Sequence, residues 1–144
     1  MAVPYRREQS AGYLTNHAAR LFVRAIERRL AGGTAGPMPV FFALMESETL
    51  TQAELARWAA VEQPTMANTL ARMTRDGLIE SSPNPADRRA SLVRLTALGR
   101  TRAAAALVAA QQTNERALSG LSAKERGTYF DLLKRVIATL EADS

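Results

Sequence analysis

Apolar residues recur at helical spacing along much of this chain. From Ala11 to Leu30, the residues Leu14, Ala18, Leu21, Phe22, Ala25 and Leu30 fall on one face, and Arg20, Arg24, Glu27 and Arg28 lie largely between them. The spacing predicts a long amphipathic helix, ended by the glycine- and proline-rich segment Ala31 to Pro37. Val40 to Met45 is a short apolar run that by length fits a strand or a buried helix. Helix is the reading taken, because the run leads into a helix-turn-helix pattern, where a packed third helix is expected. Thr51-Gln52-Ala53-Glu54 has the spacing of a capping box, so a helix should begin there and run to about Trp58 or Ala59. Ala60 to Gln63 is the expected turn. Pro64 then sits in a first helical turn, where its missing N–H costs nothing. Met66, Leu70 and Met73 form the inner stripe of this next helix, with Asn68, Thr69, Arg72 and Arg75 toward its other faces, and Gly77 ends it.

Leu78 to Ser82 and Leu92 to Leu95 are two short strand candidates, separated by the turn-forming, arginine-bearing loop Pro83 to Ala90. Thr96 is placed to cap a helix through the alanine-rich stretch to about Leu118, where Ser119-Gly120 stops it. Ser122-Ala123-Lys124-Glu125 is a second capping box. The helix it opens carries Tyr129, Leu132, Leu133, Val136, Ile137 and Leu140 on an apolar stripe. Met1 to Ser10 is polar and basic and is expected to be a loose arm that becomes helical. The predicted fold class is mainly α: a winged helix-turn-helix with a small two-stranded β wing, flanked by N- and C-terminal helices. One domain spans 1–144, with the reading region at 37–96 and flanking helices at 11–30 and 97–141.

Composition sharpens this picture. A chain of 144 residues is of one-domain length and long enough to bury a core. Its net charge is +5, and of the 19 basic residues only Lys124 and Lys134 are lysine. Arginine presents a planar fork of donors suited to phosphates and guanine edges, so a polyanionic partner is expected. The bland alternative is a solvated, arginine-rich surface. Absence of cysteine removes disulfides, thiolate metal sites and thiol-based sensing, and fits a reducing cytoplasm. No basic segment followed by an apolar run marks a signal peptide. The longest low-polarity run, Ala103 to Ala110, is far shorter than the ~20 residues that span a bilayer.

The candidate chemistry is recognition. A short second helix of a helix-turn-helix reads DNA through small polar side chains in its N-terminal half, which reach base edges in a major groove. Gln63, Pro64, Thr65, Asn68 and Thr69 fit that role, with Asn and Gln suited to adenine, while Arg72, Arg75, Arg88 and Arg94 would hold phosphates. In the loop between the strands, Asp87 is the only acid among Arg88, Arg89 and Arg94. A carboxylate there can fix a neighbouring arginine, and a held Arg89 suits a narrow minor groove. The terminal helices either cover the domain's own core or pair with a second chain. Pairing is favoured, because two linked half-sites give the specificity that one short helix lacks.

Elsewhere the sequence is quieter. His17, the single histidine, reads as a packed or hydrogen-bonded residue on an apolar helix rather than a metal ligand. Glu46 and Glu48 are expected to be exposed. Trp58 is either a packing residue against the first helix or part of a ligand cavity, with packing preferred. No Ser/His/Asp set, phosphate loop or HExxH run is present, so no enzyme, metal or cofactor is expected.

On these residues the chain resembles the MarR family of winged-helix regulators over nearly all its length. Leu50-Thr51-Gln52-Ala53-Glu54-Leu55-Ala56 looks like the family's first motif. Glu62-Gln63-Pro64-Thr65, followed by Thr69-Leu70, is similar to the recognition helix of its SlyA-like members. Asp76-Gly77-Leu78-Ile79 matches the usual helix exit, and Asp87-Arg88-Arg89 followed by Val93-Arg94-Leu95-Thr96 resembles the Asp-x-Arg wing. The resemblance implies a homodimer with recognition helices in adjacent major grooves of a pseudo-palindromic double-stranded operator, and Arg89 in the minor groove. It also implies that small aromatic or phenolic acids bind between the terminal helices and the reading unit and weaken DNA binding. His17, Phe41, Met45 and Trp58 are the candidates to line that site. Two departures stand out. Asn68 replaces an arginine common in SlyA-like members, so the base preference should differ, and Ala60 holds a turn position that is often glycine, which asks less of the backbone. Without cysteine, the peroxide-sensing branch does not apply. The rival reading is a ligand-independent architectural or protein-binding winged-helix module.

Overall fold

The structure, a computed structural model, describes residues 2–144. In chain order the elements are a 3-10 turn at Arg7–Gln9, α1 (Ala11–Glu27), α2 (Met38–Glu46), α3 (Gln52–Ala59), α4 (Gln63–Arg75), β1 (Ile79–Pro83), β2 (Ser91–Leu95), α5 (Ala97–Ala117) and α6 (Ala123–Asp143). The expected elements are all present, with ends shifted by a few residues. The first helix stops at Glu27, and its last turn tightens as the Arg29 and Leu30 amides donate to the carbonyls of Ile26 and Glu27. Of the N-terminal arm, only the short turn before α1 is helical, and Met1 lies outside the described residues.

The chain divides into two compact units, 1–110 and 111–144, with the division inside α5. In the first unit the ambiguous run Val40 to Met45 is indeed helix, and Val40, Phe41, Ala43 and Leu44 are almost wholly buried. They meet Leu55 and Ala56 of α3, Met66, Leu70 and Met73 of α4, Ile79, Val93 and Leu95 of the strands, and Ala103 and Ala106 of α5 in one core. The inner stripe expected on α4 is therefore its core face. β1 and β2 form an antiparallel ribbon with Glu80 opposite Arg94 and Ser81 opposite Val93. A connection the sequence did not suggest is the bridge between Leu50 and Val93, whose amides and carbonyls exchange bonds of 2.8 and 3.1 Å. It staples the base of the ribbon to the segment just ahead of α3.

The capping chemistry is as the spacing predicts. The Glu54 amide donates to Thr51 Oγ1 at 3.2 Å, and Glu54 Oε1 accepts from the Thr51 amide and hydroxyl at 3.2 and 2.9 Å. Those bonds, the backbone one foremost, hold the Glu54 carboxyl below its ordinary pKa. The α4 exit is a glycine stop: Gly77 has φ +75°, and the Leu78 amide donates back to the Met73 carbonyl at 2.9 Å. Thr96 ties this exit to the start of α5. Its hydroxyl donates to the Gly77 carbonyl and accepts from the Gly99 amide, while its own amide donates to the Leu78 carbonyl at 3.0 Å. A Cβ at Gly99 would lie 1.9 Å from the Leu78 carbonyl oxygen, so only glycine permits this approach.

Ala60 departs from expectation. It takes the left-handed conformation, φ 55° and ψ 43°, at the end of α3. Far from easing the turn, alanine adopts the geometry that glycine would reach without penalty.

In the second unit, Ser122 and Glu125 form the second capping box at the start of α6. Arg126 donates to the Leu118 carbonyl and both Glu115 carboxylate oxygens, which fastens the end of α5 to α6.

Candidate nucleic-acid interface

On α4 the core residues Met66, Leu70 and Met73 occupy one face, so a 100° step per residue puts Pro64, Asn68 and Arg75 on the opposite one. Pro64, Thr65, Asn68, Arg72 and Arg75 are all exposed. Thr69 is half-buried, and its hydroxyl donates to the Thr65 carbonyl at 3.2 Å. Arg75 leans toward Asp76 at 3.7 Å, both in solvent. Gln63 opens the helix and faces the ribbon.

Between α4 and the ribbon lies an open cleft of about 670 Å³. Gln52, Gln63, Ala67, Ala71 and Thr74 line its helical wall, and Asp87 and Arg89 stand on its ribbon side. Four of these, Gln52, Ala67, Ala71 and Thr74, are not singled out by sequence reasoning. The last three recur at i, i+4 and i+7, the signal of a second helical face, and their small side chains keep the cleft open.

The ribbon tip is ordered by two short polar residues. Asn84 Oδ1 accepts from the Ala86 amide at 3.0 Å. Asp87 Oδ1 accepts from the Arg89 amide at 3.0 Å and sits 3.5 Å from Arg89 Nε. The expected hold of Asp87 on Arg89 is thus formed, while the Arg89 side chain is 93% exposed. Arg88 is also exposed on the tip.

Other candidates do not join this surface. Arg94 lies on the alternate ribbon face from Val93, away from the cleft, and its Nε donates to Glu80 at 2.8 Å. Phe41 is buried at 5% exposure in the core, because it lies on the inner face of α2, and it has no surface to offer a ligand. Trp58 is 46% exposed, so the preferred packing role is not realised; its position on α3 turns it away from the Leu55 and Ala56 face. Met45 is equally exposed, past the last buried turn of α2. His17 is exposed and stacks on Tyr13, with ring centroids 6.0 Å apart. Glu46 and Glu48 are exposed as expected. Among the described residues there is no group of three or more His, Cys, Asp or Glu side chains that could hold a metal. No helix among them is long and apolar enough to cross a membrane.

Residues 34–90 match the MarR family. The transcriptional regulator HosA of Escherichia coli is 32% identical over 100 residues, covering 69% of this chain and 74% of HosA. This chain belongs to the MarR family. Consistent with that membership, the HTH-type transcriptional repressor NicR of Pseudomonas putida is 29% identical over 136 residues, 93% of this chain and 86% of NicR. A MarR mutant of Escherichia coli complexed with operator DNA superposes with a TM-score of 0.84 at 25% identity, covering 94% of this chain and 99% of that one. A structure addressing regulation of DNA binding of Bordetella bronchiseptica BpsR by 6-hydroxynicotinic acid superposes with a TM-score of 0.78 at 27% identity, covering 87% and 96%. As a MarR-family protein with this winged helix-turn-helix, the chain is a DNA-binding transcription regulator.

Proposed function

We propose that this MarR-family chain is a repressor that leaves its operator when a hydroxylated aromatic carboxylic acid binds. The observation that carries the DNA half of this reading is the open cleft flanked by the polar face of α4 and the exposed, Asp87-held Arg89. With α4 in a major groove, Gln63, Pro64, Thr65, Asn68 and Thr69 meet base edges. Arg72, Arg75 and Arg88 meet phosphates, and Arg89 enters the adjacent minor groove. Two copies bring two such units to half-sites about one helical turn apart. The copies join through apolar side chains left in solvent: Leu14 and Leu21 of α1, and Leu132, Val136 and Leu140 of α6, each more than 45% exposed. On this reading α1, the end of α5 and α6 form the pairing part, and 37–96 the reading part. The protein acts by binding in the cytoplasm and performs no catalysis.

The effector class is supported by BpsR, whose DNA binding is regulated by 6-hydroxynicotinic acid, and the repressor role by NicR, a transcriptional repressor. His17, Met45 and Trp58 remain exposed side chains able to line a site completed by the dimer, whereas Phe41 does not. The test is titration of the protein–operator complex, followed by fluorescence anisotropy, with 6-hydroxynicotinate and with simple hydroxybenzoates. Release by either class, with benzoate or nicotinate weaker, is the expected result. Unchanged affinity across both series would leave a DNA-organising module that answers to no such ligand.

A further inference from the structure

We propose that Gln52 fixes which way the Gln63 amide faces, and through it which base edge the start of α4 reads. The proposal rests on the placement of α4 in a major groove. Gln52 is the first residue of α3 and Gln63 the first of α4, and both line the cleft. Gln52 Nε2 lies 3.5 Å from the Gln63 backbone carbonyl oxygen and 3.4 Å from Gln63 Oε1.

The backbone contact removes the usual ambiguity of an amide's two ends. A backbone carbonyl only accepts, so the atom of Gln52 facing it must be the nitrogen. That nitrogen has two N–H bonds, and the second points at the Gln63 side chain. If Gln63 turned its own nitrogen inward, two donors would face each other. Its oxygen therefore points in and its NH₂ points out. Gln52 is half-buried in the capped first turn of α3, and Pro64 restrains the backbone beside Gln63.

The consequence is a change of code. A free glutamine offers a donor and an acceptor side by side, the pattern that matches adenine. With its oxygen occupied by Gln52, Gln63 presents donors. Donors suit the acceptor edges of guanine, at O6 and N7, or thymine, at O4. Gln63 is thus a reader of acceptors, and Gln52, which need not touch DNA, is its positioning residue.

Selection of bound sites from random DNA, using the full-length dimer, tests this. Gln63→Ala locates the position read, because preference at one position per half-site should vanish. At that position the wild type should favour guanine or thymine. Gln52→Met keeps the length of the side chain and removes the amide, so the preference should fall about five- to tenfold while affinity for random DNA is kept. Gln52→Glu can only accept, so it loses both the Gln63 backbone carbonyl and the Gln63 Oε1, and the preference for guanine or thymine should fall as it does in Gln52→Met. The added charge weakens all sequences alike and cancels in the ratio. A wild-type preference retained in both Gln52 variants, where Gln63→Ala abolishes it, overturns the positioning role alone. No change at any position for Gln63→Ala overturns Gln63 as a reader, and with it the proposal. Loss of site selection in Asn68→Ala, alongside its absence in Gln63→Ala, would separate that failure from a failure of α4 to enter the groove.

Discussion

Asp87 grips Arg89 at two points, accepting its backbone amide at 3.0 Å and approaching its Nε at 3.5 Å through the same carboxylate oxygen. The grip sets the backbone of the ribbon tip and the base of the arginine side chain together, and leaves the guanidinium in solvent. An acid facing a polyanion should repel it, so Coulomb's law alone predicts tighter DNA binding when Asp87 is removed. A positioning role predicts the opposite. Asp87→Ala should weaken operator binding, and should add nothing in an Arg89→Ala background, since the two act as one unit. Arg89→Ala should lose more affinity on sites with A·T flanks than with G·C flanks, because the narrow groove carries the stronger potential. Anisotropy titrations on both flanks decide it, and tighter binding by Asp87→Ala would sink the positioning role.

Arg94, expected to hold a phosphate, donates through Nε to Glu80 across the ribbon, and we predict that it serves chiefly as a cross-strand strut. Arg94→Ala should then leave the dependence of binding on salt nearly unchanged. Arg88→Ala or Arg89→Ala should reduce that slope by about one for each phosphate that is no longer neutralised. A drop of about one for Arg94→Ala would restore the phosphate role.

Ala60 sits at φ 55° with no glycine to relieve it. Left-handed geometry costs a residue with a Cβ roughly 1–2 kcal/mol, partly offset by the greater unfolded-state freedom of glycine. Ala60→Gly should stabilise the fold by up to about 1 kcal/mol, raising Tm by roughly 2–4 °C, with DNA affinity unchanged. A lower Tm in thermal unfolding would show that Ala60 makes contacts worth more than its strain.

Glu54 and Glu125 are both held below the ordinary glutamate pKa by the capping-box bonds, chiefly from the backbone amides of Thr51 and Ser122. A carboxyl depressed in the fold contributes stability that is present above its unfolded value and is lost as pH falls through its folded one. The double variant Glu54→Gln, Glu125→Gln should therefore be less stable than wild type at neutral pH and match it more closely at acid pH. Urea denaturation at several pH values measures the difference, and a gap that does not narrow toward acid pH would contradict the sign.

The α6 stripe is nearly as exposed as its sequence is apolar: Leu132 is 49% and Val136 47% in solvent, and Leu133 is half-buried. A patch of this kind marks an interaction surface. Charged substitutions at Leu133 and Val136 should yield monomers or unfolded chain in sedimentation. Replacing Val136 alone, which carries less of the intrachain packing, should yield folded monomers with helical circular dichroism. A dimer that survives both changes would move the pairing surface off this stripe.

Local chemistry determined a great deal of this protein from sequence. Capping boxes at Thr51 and Ser122, the glycine stop at Gly77 and the inner stripe Met66, Leu70 and Met73 are interactions between residues a few positions apart, and periodicity and side-chain type suffice to place them. The hold of Asp87 on Arg89 is of the same kind, since two residues within one turn can be paired on paper. What only the tertiary structure decided depends on residues far apart in the chain. Pairing Glu80 with Arg94 requires the ribbon register, and a slip of one residue would have turned that arginine to the other face. Gln52 meets Gln63 only because the turn at Ala60 takes left-handed geometry and sets the two helix starts side by side. The fate of Phe41 and Trp58 was equally non-local. Both are aromatic residues on short helices, and whether each is buried or left in solvent was set by which face of α2 and α3 the shared core claimed.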